Sequence, residues 1–531
     1  MKPRNTVKRT QPSFHTATTL AARLLALLTL LELSARAQLI DRTLAPNTAN
    51  EGIAKSLTQQ IGQGRGDLFT PDSSLCMIQR DPFRAIRRGR QLFQRKFTRE
   101  QGQGPVAQDG RGDVNTELAI GAGLSDSCAS CHGRPRGSAG FGGDVATRPD
   151  SRDAPHLFGL GLKEMLADEI TADLRAIRDQ AVADARRRQR AVRRALVSKG
   201  IHYGVIVAKA DGSIDTSRVR GANPDLRVRP FLAHGGKIAI REFIVGALDE
   251  EMGLQAPDPD LATAAAGGKV LTPAGLVMDG SLDQFTAPPR GDGVKNEIDA
   301  SLVDYLEFYL LNYFKAGTYE QTERTRQGRY VFERIGCGSC HVPDLPLIRD
   351  RRVADVETVF DGEHGNFNGL FATAALLHDS VDDVPGLPPL KSPKLQPFLV
   401  RNIFTDFKRH DLGPNFYERS YDGTMRTEFL TTPLWGVGST PPYGHDGRSI
   451  NLTEVILRHG GEARTEAEAF ENLSADNRGD LLEFLNSLVL FPPDDTASNL
   501  DPGNRQDAGF PQTAHGSIKL RALFNDPSDP E

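Results

Sequence analysis

Two pentapeptides of the form Cys-x-x-Cys-His, Cys128-Ala-Ser-Cys131-His132 and Cys337-Gly-Ser-Cys340-His341, take four of the five cysteines in this chain. Two thiols separated by two residues reach the two vinyl groups of one haem as thioethers, and the imidazole that follows reaches the iron. The pattern therefore predicts two covalently attached c-type haems with His132 and His341 as axial ligands. A redox dithiol does not require the trailing histidine, and a zinc knuckle needs further ligands at short spacing. The fifth cysteine, Cys76, is left over; it reads as a small buried apolar residue or a free thiol, and no role is assigned to it.

The amino terminus agrees with export. Lys2, Arg4, Lys8 and Arg9 precede a short apolar run from Leu24 to Leu31, and Ala35-Arg36-Ala37 forms a small-x-small cleavage site before Gln38. Arg23 and Glu32 bound the run, leaving it well short of the roughly 20 apolar residues a spanning helix needs. Residues 1–37 are read as a signal peptide and the periplasm as the destination. The leader carries six Lys/Arg and one Glu, so the chain moves from a formal −5 to −10 on losing it. That charge argues against nucleic acid and favours a positively charged partner.

The remaining chain repeats one pattern. Ahead of the first motif, Phe83, Ile86, Gly89, Leu92 and Phe93 recur near helical spacing within the phrase Gly89-Arg90-Gln91-Leu92-Phe93; ahead of the second stands Gly328-Arg329-Tyr330-Val331-Phe332. Periodic helices close both units, over Ile298 to Phe314 and over Arg478 to Leu490. The expected architecture is mostly α: two class I cytochrome c-like domains with long loops, spanning 38–317 and 318–491, and a polar tail over 492–531. The first domain holds a large insertion. Within it, residues 163–199 read as a long charged helix with a solvated basic stretch, Arg186-Arg187-Arg188-Gln189-Arg190. The stretch from Asp258 to Asn296 reads as a surface excursion.

Thr432-Pro433-Leu434-Trp435-Gly436-Val437-Gly438, followed by Pro442-Tyr443-Gly444-His445-Asp446-Gly447-Arg448, resembles the di-haem oxidoreductase family. That family is related to the bacterial di-haem cytochrome c peroxidases and to the maturation enzyme of methylamine dehydrogenase. The resemblance continues through Leu457-Arg458-His459-Gly460-Gly461-Glu462-Ala463, His410-Asp411-Leu412-Gly413-Pro414 and, more loosely, Ala154-Pro155-His156-Leu157-Phe158-Gly159-Leu160-Gly161-Leu162. In those relatives the second haem takes its sixth ligand, a Met or a Tyr, from the helix after the Tyr-x-His-Asp-Gly loop. The same interval from His445 lands on His459, so the resemblance implies His459 as that ligand; the competing reading is a helix C-cap before Gly460-Gly461. The resemblance implies a structural role for His445 and Asp446, and Trp435, the one tryptophan, is expected to pack on the second haem. The peroxidases carry an inter-haem Trp in their first domain, which this sequence does not have.

The resemblance further implies a peroxidase-like division of labour: the haem at His341 handles electrons and the haem at His132 reacts. A peroxidase needs an open iron position and a group that moves a proton between the peroxide oxygens. Glu164 is the first candidate for that group and Glu169 the second, with a solvent-facing helix as the competing reading for both. His156, His202 and His234 are each candidates for a resting-state ligand of the first iron. A small cytochrome or copper protein is expected as electron donor or acceptor and peroxide or another small oxidant as substrate, with calcium between the domains as a further possibility carried by the relatives. A non-enzymatic electron carrier and, further off, a di-haem oxygenase are the other functions considered.

Overall fold

The computed structural model describes residues 56–104, 125–132, 153–289, 297–312, 317–318, 322–358, 370–419 and 423–489. The expected signal peptide and polar tail lie outside the described residues. In chain order the helices that position the site are α1 (Pro82–Gln94), α2 (Leu160–Arg188), α3 (Ile240–Met252), α4 (Ala300–Asn312), α5 (Glu323–Arg334), α6 (Leu452–Arg458) and α7 (Ala475–Asn486). Short antiparallel ribbons and loops join them, in keeping with a mostly helical chain with long loops. None of the described helices is long and apolar enough to cross a membrane.

The repeated phrase has one structural meaning in both places. A Cβ on Gly89 of α1 would stand 2.2 Å from the Tyr305 carbonyl oxygen of α4, and a Cβ on Gly328 of α5 would stand 1.9 Å from the Asp480 carbonyl oxygen of α7. Backbones that approach this closely admit no side chain at the crossing. Four residues on, one helical turn away, the phenylalanine of each phrase meets a ring on the closing helix. Phe93 lies 5.8 Å from Tyr309 and Phe332 lies 5.7 Å from Phe484, centroid to centroid. Entry helix and closing helix thus cross in the same register twice.

Two expectations for the insertion change. The charged helix stops at Arg188, where Gln189 turns left-handed (φ 48°). The chain then forms an antiparallel sheet of β1 (Val192–Ser198), β2 (Ile201–Ala208) and β3 (Ile214–Val219) in that order. Val192, Leu196, Ile201, Tyr203 and Ile206 are buried by this arrangement. Alternation places them on one face of a sheet, which a continued helix would not do. The stretch from Asp258 is likewise packed rather than excursive. A short helix, Pro259–Ala265, and the ribbon Lys269–Leu271/Val277–Asp279 bury Leu261, Ala264, Leu276 and Met278.

That stretch also completes a buried charge network. Arg241, fully buried on α3, donates to Asp258 (Nε to Oδ1 2.9 Å) and to Glu307 (Nη1 to Oε2 2.8 Å), and its Nη1 is 2.9 Å from Asp304 Oδ1. Ser74 donates to Asp304 as well (2.6 Å). Burial outweighs the nearby arginine and pushes Glu307 up to about 7. The apolar core divides into a large cluster around α1 to α4, which includes Trp435, and a smaller one of Val331, Phe332, Phe404, Phe470, Phe484 and neighbours.

Candidate functional site

One cavity of about 790 Å³ is lined by both pentapeptides: Cys128, Cys131 and His132, and Cys337, Cys340 and His341. Trp435, His156, His234, His445 and His459 also reach its wall, whereas His202 is exposed on β2 and stands apart from it. Two motifs more than 200 positions apart therefore share a single enclosure.

Three histidines on this wall are held in the same way. The Nδ1–H of His132 donates to the Pro155 carbonyl (2.8 Å), that of His341 to the Phe404 carbonyl (3.0 Å) and that of His459 to the Val455 carbonyl (2.7 Å). Each bond fixes the tautomer that carries its lone pair on Nε2, the state in which imidazole binds a metal. Burial keeps two of these rings neutral: it pushes His341 down to about 4 and lowers His459 as well. His459 occupies the C-cap of α6 through its backbone while its ring faces the cavity, so the cap and the ring position coexist.

The Tyr-x-His-Asp-Gly loop supports His459 from behind. Asp446 is buried and receives both arms of the Arg458 guanidinium (2.7 and 3.1 Å). Arg458 in turn lies over Phe416 (4.3 Å), whose ring packs edge-on to His459 (5.3 Å). His445 stacks on Phe429 (4.2 Å, 18°) with Nε2 3.3 Å from Glu418. Its carbonyl accepts from the Asp153 backbone (2.9 Å), joining the loop to the first unit. These are positioning contacts.

A further histidine, with no role expected from its sequence context, also stands here. His410 donates through Nε2 to Asp406 and through Nδ1 to Glu462, 2.9 Å each. Asp406 lies two residues after Phe404, the acceptor behind His341, and Glu462 three after His459, so His410 ties together the supports of both rings. Burial opposes its charge, but the Asp406 hydrogen bond, a contact with the Cys340 sulfur and the two carboxylates raise it to about 10. Cys340, Asp406 and His410 bring ligand atoms within 4.8 Å of one another. A doubly donating imidazolium has no lone pair for a metal, and the trio is not the oxygen-rich cage calcium takes. The Asp406/His410 spacing of four was the available sequence signal.

On the first motif's side the expected proton-transfer group is elsewhere. Glu164 is 1% exposed, accepts the Ile240 N–H at the start of α3 (2.7 Å) and pairs with Arg351 (2.5 Å), and it is not on the cavity wall. Helix phase is the cause. Gly161, whose Cβ would meet the Leu311 carbonyl at 2.1 Å, turns its face of α2 onto α4, and Glu164 follows Gly161 by three. Glu169 is also structural, accepting from Lys199 Nζ (2.6 Å) and the Ile348 N–H (2.8 Å). Leu160 and Lys163, again three apart, take the cavity face. His156 lines it too, driven down to about 3 chiefly by burial.

The donor set fits haem. Two thiol pairs, neutral imidazoles with fixed tautomers and a wall rich in Phe, Leu and Val surround a volume in the ordinary range for cofactor sites. Residues 367–488 match the family described as "di-haem oxidoreductase, putative peroxidase". Among curated proteins nothing matches this sequence. Among solved structures, hydrazine synthase of Kuenenia stuttgartiensis pressurised with xenon is 16% identical, with a TM-score of 0.21, over 35% of this chain and 55% of its own, so the chain spans about half that protein's length. A MauG-like protein associated with microbial copper homeostasis is 15% identical, with a TM-score of 0.30, over 77% of this chain and 90% of its own. The description of that family names two haems and oxidoreduction.

Proposed function

We propose that the chain is an exported di-haem c-type oxidoreductase of peroxidase-like chemistry, built from two cytochrome c-like units over 38–317 and 318–491. One observation carries this: the two Cys-x-x-Cys-His motifs open onto one cavity, with three histidines whose Nδ1 atoms are all held by backbone carbonyls. When bound, haem supplies iron-centred electron transfer and, at an open coordination position, reduction of a peroxide to two waters by two electrons and two protons from outside. Cys128/Cys131 and Cys337/Cys340 attach the two groups, and His132 and His341 ligate them. His459 would be a further ligand of the second group. The second unit then takes the electron-handling role, with a small periplasmic redox protein as donor.

The periplasmic assignment, from residues 1–37, is tested by where the mature chain begins and where it accumulates. Calcium is not part of this reading. The deciding measurement is the mass and spectrum of denatured protein: two haem masses retained on the polypeptide support it, and haem extracted freely by acid defeats it. His459→Ala should then convert one low-spin haem to high-spin and leave the other unchanged. A low-spin spectrum in that variant would remove His459 from the ligand set. A reading as a pure electron carrier predicts no spectral response to peroxide in either oxidation state.

A further inference from the structure

Among the described residues, one cation on the cavity wall lacks a counter-charge. Lys237 donates to Thr286 (2.7 Å) and lies 3.7 Å from Glu242, and Arg426 lies 3.5 Å from Glu418. Lys163 has the Phe231 ring at 5.7 Å, and among the described residues no carboxylate pairs with it. Its place is fixed by the same helix phase that turned Glu164 inward, because α2 is locked against α4 at Gly161. Burial alone lowers the amine, to about 8, so at neutral pH it remains charged. Exposing a cation to an apolar chamber is unfavourable, and a cation over an aromatic face recovers only part of that cost. The wall is thus complementary to an anion that enters with the occupant.

We propose that the Lys163 ammonium is an anion-holding position of the His132 side of the cavity and that its ligand is a carboxylate. A carboxylate has two sources here. Haem carries two propionates, and a dissolved carboxylate can enter the chamber. Lysine suits either, as a compact charge with rotatable donors on a flexible stem. The proposal rests on the haem reading of the cavity, so the test begins by confirming two covalent haems by mass in every variant; their absence defeats that reading and not the role of Lys163.

The variants are Lys163→Met, which keeps the length and apolar stem, and Lys163→Arg, which keeps the charge. Two quantities are read on the whole protein: the reduction potential of the first haem, and the affinity for formate followed by that haem's absorption. If the ligand is a propionate, Lys163→Met lowers the potential, because an uncompensated negative charge near the iron favours the ferric state, while formate affinity holds. If the ligand is a dissolved carboxylate, Lys163→Met weakens formate by about tenfold or more, the loss expected for one charge-assisted hydrogen bond. In both cases Lys163→Arg restores the value. Unchanged potential and unchanged formate affinity in Lys163→Met, with both haems present, overturn the proposal.

Discussion

The two halves of the cavity are alike in frame and opposite in electrostatics. In both, an entry helix crosses a closing helix at a glycine, a phenylalanine one turn later meets a ring, and a Cys-x-x-Cys-His motif follows. Around His341 the polar groups are then satisfied in pairs: His459 with Val455, Arg458 with Asp446, His410 with two carboxylates. Around His132 the wall offers an ammonium that no carboxylate pairs with among the described residues, and a neutral His156. A duplicated frame fixes where a cofactor sits; the side chains laid over it decide whether the chamber is closed by the protein or left for a ligand. That division fits the proposed roles of a ligand-saturated electron-handling unit and a reactive one.

The largest expected effect separates what holds each half together. The first unit is stabilised under the cavity by Arg241, fully buried among Asp258, Asp304 and Glu307. Arg241→Met leaves Asp258 and Glu307 without their cation and Asp304 with only the more distant Arg65 (3.6 Å), and breaking a buried pair from one side costs about 3–5 kcal/mol. The core around Phe332 and Phe484 shares no member with this network. Thermal unfolding followed separately by the two haem absorptions should show the first unit melting early and the second near its original temperature. A single joint shift would mean that the halves unfold as one body.

A smaller effect tests the likeness. Gly89→Ala and Gly328→Ala each place a methyl carbon inside a backbone carbonyl of the partner helix, 2.2 and 1.9 Å away. Overpacking of this kind costs about 1–3 kcal/mol. Denaturant midpoints should fall by similar amounts in the two variants, each in its own unit. An innocuous Gly89→Ala beside a damaging Gly328→Ala would show that the crossing matters to only one of them.

Much of this frame was legible because it is local. Gly-Arg-x-x-Phe, the attachment motifs and the periodicity of α4 and α7 depend on residues within a turn or two of one another. The ring of His459 could be placed by its interval from His445. What was not legible depends on distant contacts. Glu164 and Lys163 are neighbours in sequence, and which of them faces the cavity is set by Leu311 approaching Gly161 from another helix. The strand after Gln189 forms because Val192 and Val197 find sheet partners in β2, Ala208 and His202, and helix propensity over Arg186 to Arg194 carries no trace of that. His410 appeared within a recognisable motif, yet its partner Glu462 lies 52 residues away.

The smallest effect concerns pH and is read on the His341 side. His410 is held up to about 10 from an ordinary 6.5, so the folded state binds its proton more tightly than the unfolded chain. Its contribution is complete below about pH 6.5 and is lost as pH rises toward 10. Asp406 and Glu462 are lowered, so their part is present above the ordinary carboxylate range and lost as pH falls through it. His341, held down to about 4, adds to that acid loss, because the unfolded chain binds more protons between 4 and 6.5. On the His132 side His156, held down to about 3, and Glu307, raised to about 7, act in opposite senses. Melting followed at the His341 haem between pH 7 and 10 should therefore show alkaline loss. His410→Gln retains hydrogen bonding without the charge and should flatten that limb. An alkaline limb of unchanged slope in that variant would assign the loss to another group and leave His410 as a neutral tether between the supports of His341 and His459.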